Sequence, residues 1–157
     1  MTSSIVTYPD VVQRAVDEFG KAAGMRKHSG VWYGASPETW SIVASQKSQF
    51  KRSYYLNTGF WIRVVGDKPY PKEHEFHIRG RLDGLLPDLE SELPTLLDLD
   101  TPLPDPDRVR RLHEVMRLRL LPLLKKGETL RGLQEMHRDG VFKAAAIRGE
   151  ALTVLAS

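Results

Sequence analysis

Two short runs hold the residues best suited to metal-assisted hydrolysis: His74-Glu75-Phe76-His77 and His113-Glu114-Val115-Met116-Arg117. A helical zinc hydrolase needs two His ligands one turn apart, with Glu between them as the base. The first run is one residue too short, and on a strand His74 and His77 point to opposite faces. The second puts Arg117 where the second ligand must stand. Asp98, Asp100, Asp105 and Asp107 carry the oxygens that a calcium ion wants, but Pro102, Pro104 and Pro106 interrupt them and the central Gly is missing. They read as loop charge or as a counterweight to basic segments. There is no Gly-rich phosphate loop and no G-x-S-x-G elbow. The 157 residues include no cysteine, which excludes disulfides, a thiol nucleophile, thiolate zinc and iron–sulfur clusters. No metal site and no cofactor are expected.

A second set of side chains has the chemistry of binding. Tyr55, Asn57, Trp61 and Arg63 alternate along one extended run, and His77, Arg79 and Arg81 along another. If the two runs pair as neighbouring strands, these residues share one face of a sheet. Gln46, at the end of a third run, reaches the same region. Aromatic rings beside guanidinium and amide groups grip a planar or anionic ligand by stacking and bidentate hydrogen bonds. The same pattern also fits the ordinary solvated side of an antiparallel sheet, with Trp61 lying beneath later helices. A hydrolase with a His77-centred cleft, using Asn57 and Arg79 around it, is the enzymatic alternative. A third reading is weak nucleic-acid binding through Arg110, Arg117, Lys125, Lys126 and Arg131. Asp107 and Glu114 interrupt that patch and no recognised binding signature accompanies it, so nucleic acid is not the expected partner.

The elements that must position these groups follow from periodicity. Val12, Ala15, Val16, Phe19 and Ala23 share a helical face, predicting a helix over 9–24 that begins at Pro9 and stops at Gly24. The period then becomes two. Extended runs at about 25–34, 39–47, 54–64 and 73–82, joined by short connections, predict a four-stranded antiparallel meander over 25–83. Residues 84–107 are Leu- and Pro-rich with seven acidic residues and no basic one, so their formal charge is −7. Their leucines argue for a packed, irregular connection rather than a free linker. Asp105-Pro106 opens a helix whose stripe is Val109, Leu112, Val115, Met116, Leu120 and Leu123, and Pro122 should kink or end it. Shorter helices are expected at 130–138 and 141–155. Arg119 falls on the apolar stripe, where an unpaired charge is costly, so it should find a carboxylate or line a pocket.

The whole chain carries a formal charge of +3, with 41% hydrophobic and 27% charged residues, the composition of a folded globular protein. The expected architecture is α+β, a single domain over 1–157 with the sheet packed by the N-terminal helix and the C-terminal helices. No apolar run approaches the ~20 residues of a membrane span, and no secretory leader pattern opens the chain; a cytoplasmic location without membrane attachment is expected. In order, Gly24-Met25-Arg26-Lys27, Trp40 to Ser48, Tyr54-Tyr55-Leu56-Asn57-Thr58-Gly59, Arg81-Leu82 and Leu120-Leu121-Pro122-Leu123-Leu124 resemble the bacterial domain-of-unknown-function family 4304. The resemblance implies a compact α+β domain and brings no activity or catalytic residue with it. The expected function is therefore a non-enzymatic binding or interaction module acting through the polar face of its sheet, its partner an unidentified protein or a small anionic ligand. Bacterial immunity-type proteins share this size and this lack of a catalytic signature, as an analogy.

Overall fold

The computed structural model describes residues 10–157. Helix α1 (Val11–Ala22) starts from Asp10, whose side chain accepts the Gln13 N–H at 3.0 Å. It ends as expected at Gly24. That residue has φ +74°, and the Met25 and Gly24 N–H groups bond back to Gly20 and Lys21 in a Schellman closure. The expected start at Pro9 lies outside the described residues.

The sheet is an antiparallel meander, as the alternation predicts, but it has six strands rather than four. They are β1 (Arg26–His28), β2 (Val31–Ala35), β3 (Thr39–Lys47), β4 (Tyr54–Ile62), β5 (Ile78–Arg81) and β6 (Ala146–Ile147), in that spatial order. The first expected strand is really a hairpin. Ser29 and Gly30 both take positive φ (50° and 81°), the left-handed two-residue turn that matches strand twist, and Arg26 pairs with Tyr33. The fourth expected strand shortens because Glu73–Glu75 form a 3-10 turn before β5. The sixth strand lies where a helix over 141–155 was expected. Ala146 and Ile147 pair with Arg79 and Ile78, and only Gly149–Leu155 are helical.

Alternation along the strands makes two different faces. The inner face carries Trp32, Val43, Leu56, Phe60, Ile62 and Ile78 into the main core. There it meets Val12, Ala15, Val16 and Phe19 of α1. The acidic connection also enters this core. It forms α2 (Leu82–Leu85), a 3-10 turn (Pro87–Leu89) and α3 (Glu92–Leu97), burying Leu82, Leu85, Leu89, Leu93, Leu96 and Leu97 while its carboxylates stay outside. Short helices therefore replace the irregular connection expected there.

Helix α4 (Asp105–Val115) runs through a wide π turn at Met116–Leu120 into α5 (Leu121–Lys126). Pro122 cannot donate a helical hydrogen bond and its ring crowds the preceding turn. The widened turn, in which Leu121 N–H reaches Met116 O, lets the rod continue instead of ending. Helices α6 (Leu130–Arg138) and α7 (Gly149–Leu155) complete the inner layer. Arg119 meets its expected carboxylate in the acidic connection: its two terminal nitrogens grip both oxygens of Asp88, one of them at 3.0 Å. That pair holds the guanidinium above its usual proton affinity and the Asp88 carboxyl below the ordinary carboxylate range. Among the described residues, no helix is long and apolar enough to cross a membrane.

Candidate functional site

The outer face of the sheet is where the binding residues were expected, and its two ends differ. At one end lies a small second core of Tyr33, Ile42, Trp61 and Phe76, with Val31, Trp40 and Tyr70 packed around it. The chain between β4 and β5 folds back over the sheet to make it. Tyr33 donates its hydroxyl to Pro71 O at 2.8 Å, the Trp61 indole N–H donates to Gly66 O, and Tyr70 stacks on His28 with centroids 4.1 Å apart. Trp61 is 8% exposed and stacked 4.1 Å from the His77 ring.

His77 is itself only 3% exposed, and its Nδ1 accepts the Ile62 N–H at 2.8 Å. The proton of the neutral ring therefore sits on Nε2. Burial pushes the His77 pKa below its ordinary 6.5, with Arg148 acting in the same direction and Glu150 opposing. A histidine tied to the backbone beneath an indole cannot centre an open cleft, so the His77-centred cleft is corrected. Trp61 and His77 hold the fold together and leave the candidate binding set. So does Arg63, whose guanidinium lies 4.8 Å from the Trp40 ring and 3.5 Å from Asp67. Trp61 is covered, but by the β4–β5 connection rather than by C-terminal helices.

The other end is open. Gln46, Asn57, Arg79 and Arg81 line a cleft of about 570 Å³, a size suited to a small ligand or a few residues of peptide. Register explains their meeting: Asn57 lies opposite Arg81, Gly59 opposite Arg79, and Gln46 opposite Tyr55 on the next rung. Tyr55 does not line the cleft; it forms a platform on which the Arg81 guanidinium stacks at 3.6 Å. Asn57 Nδ2 donates to Gln46 Oε1 at 2.9 Å and to Glu73 Oε2 at 3.1 Å. Both amide protons are then used, and among the described residues its carbonyl oxygen accepts no hydrogen bond.

Three carboxylates missing from the expected set, Glu73, Asp83 and Glu90, share the cleft. Asp83 could have been found, since it follows Arg81 by two residues where strand passes into helix. Glu90 had no local signal, because the turns of the acidic connection carry it there. Among the described residues, none of these carboxylates forms an ion pair with Arg79 or Arg81. Gly80, Gly84, Ala144 and Ala146 form the low wall of the cleft. Among the described residues, no group of three His, Asp or Glu side chains is placed to hold a metal ion.

No curated protein and no solved structure matches the chain. A family model does match, over residues 16–126, a span that takes in most of α1, all elements through α5, and every cleft residue except Ala144 and Ala146. The chain belongs to that family, described as a domain of unknown function (DUF4304).

Proposed function

We propose that this protein is a binding module that takes an anionic group, on a small ligand or on a partner protein, into the open end of its outer sheet face. The observation that carries this reading is the pair Arg79 and Arg81: alternate residues of β5 on one face, in one cleft, with no carboxylate in ion-pairing reach among the described residues. A guanidinium presents a planar fork of donors that fits a carboxylate or phosphate bidentately. Stacking on Tyr55 restricts the Arg81 fork before a ligand arrives, which lowers the entropy lost on binding. The Asn57 carbonyl oxygen offers an acceptor beside it, and Glu73, Asp83 and Glu90 repel ligands of high negative charge.

A thermal-shift screen of small carboxylates and phosphates tests the reading. At least one compound raises the melting temperature of the wild-type protein, and the double change Arg79→Ala with Arg81→Ala removes that rise. Compounds that act equally on the double variant would overturn it.

A further inference from the structure

A second cavity, of about 280 Å³, opens where the N-terminal ends of α1 and α4 approach the loop between β3 and β4. It shares no residue with the cleft. Its floor includes Arg108, the largest fully buried side chain among the described residues at 2% exposure. A buried guanidinium ordinarily carries a carboxylate partner, because an uncompensated charge away from water is costly. Arg108 has none among the described residues, and residues 1–9 contain no acidic side chain. Carbonyl oxygens hold it instead: Nη1 donates to Leu96 O at 2.6 Å and Asp98 O at 2.9 Å, and Nη2 to Thr101 O at 2.8 Å. These contacts satisfy the C-terminal end of α3 but supply no full negative charge, and among the described residues the buried Nε–H has no acceptor.

Around it the lining sets two arginines, Arg14 and Arg52, against two aspartates, Asp10 and Asp105, so the charge in excess is that of Arg108. Arg14 makes no ion pair among the described residues, and Arg52 has only an exposed partner, Asp100, at 3.2 Å. Such an exposed pair is weak and readily exchanged. Helix α4 has no side-chain cap, and since Pro106 has no N–H and the Arg108 N–H bonds to Pro104 O, the Asp105 and Asp107 N–H groups are the donors left in its first turn, where a helix N-terminus adds about half a positive charge. Two carboxylates oppose these groups. Asp10 is committed to the Gln13 N–H and the Tyr54 hydroxyl, while Asp105 stands at the start of α4. Their presence limits the guest to one negative charge.

From this arrangement we infer a second binding site, independent of the cleft, in which Arg14, Arg52 and the uncapped start of α4 take a single oxyanion, a carboxylate or a singly charged phosphate, over the buried charge of Arg108.

The buried Nε–H of Arg108 gives a direct spectroscopic reporter. In ¹H–¹⁵N spectra at pH 6, titration with sodium phosphate or sodium acetate, against sodium chloride at matched ionic strength, shifts that signal and the Asp107 amide saturably. Arg14→Gln, a surface change that leaves the Arg108 contacts in place, weakens the effect roughly tenfold, the scale expected on losing one charge-assisted contact. Acetate acting alone marks a carboxylate site, phosphate alone a phosphate site, and both support the inference. It is overturned if neither salt gives a saturable shift below about 50 mM, an affinity too weak to matter, if chloride does the same, or if Arg14→Gln changes nothing. Shifts confined to the Arg79–Arg81 strand would overturn this site and leave the cleft reading intact.

Discussion

The covered and open ends of one sheet face are built from the same alternation and end in opposite roles. At the covered end, Tyr70 and Phe76 close over the sheet, and Tyr33, Trp61 and His77 each bond a polar atom to the backbone. At the open end, Glu73, Asp83 and Glu90 share the cleft without closing it, and among the described residues Arg79 and Arg81 form no ion pair and the Asn57 carbonyl oxygen accepts no hydrogen bond. Outward-facing polar residues become structural when a loop folds over them and available for binding when none does. Position along the strand, more than residue type, separates His77 from Arg79, two residues apart.

The largest effect that can break this contrast is expected at Trp61. Trp61→Ala empties the centre of the second core and should cost about 3–5 kcal/mol, the range for large-to-small changes at buried aromatics. Urea unfolding measures it, and a loss under ~1 kcal/mol, the scale of an ordinary surface change, would mean that the connection does not seal this end.

The next effect depends on pH. Burial holds His77 neutral in the folded protein, so the unfolded chain takes up its proton first as pH falls below about 6.5. Stability should therefore fall with pH below that value, by at most about 1.4 kcal/mol per unit for one proton, until the folded ring also titrates. His77→Gln, which retains a side-chain acceptor for the Ile62 N–H, should flatten that slope. An unchanged slope in the variant would assign the pH dependence to other groups.

At high pH a second limb is expected from Tyr54. Burial, helped by the Asp10 carboxylate that its hydroxyl meets, pushes its pKa up to about 12. The unfolded phenol ionises near 10, so stability is lost as pH rises above that value, and Tyr54→Phe should remove this limb. A limb that persists in Tyr54→Phe would locate it elsewhere.

The smallest stability effects belong to the open end. Arg79→Ala and Arg81→Ala should each stay within about 0.5 kcal/mol of wild type, as exposed changes away from packing do. Paired with loss of ligand response, that silence separates binding residues from structural ones.

Much of the frame was legible because period-two alternation is strong where one face is buried. The run at 54–64 became β4 at Tyr54–Ile62, and its inner and outer residues were assigned to the correct sides. Asn57, Arg79 and Arg81 meet for that reason. Alternation gives a side without saying what lies over that side, and this is why Trp61, Arg63 and His77 were placed in the binding set. Tyr70, an aromatic residue inside the loop expected before 73–82, was the available sign of a cover. The β1–β2 hairpin was missed although Ser29-Gly30 is a turn pair, because its first arm, Arg26-Lys27-His28, is polar and exposed and shows no alternation of its own. The two residues of β6 had no local sign at all; their pairing depends on where β5 leaves an unpaired edge.

The claim that the face is divided is tested most directly by mapping a bound compound from the thermal-shift screen onto ¹H–¹⁵N spectra. The account predicts shifts at the Asn57 side-chain amide and the backbone of Gly80, Arg81 and Gly84, while the Trp61 indole N–H stays unmoved. A compound that moves the indole signal and leaves those four groups still would contradict it.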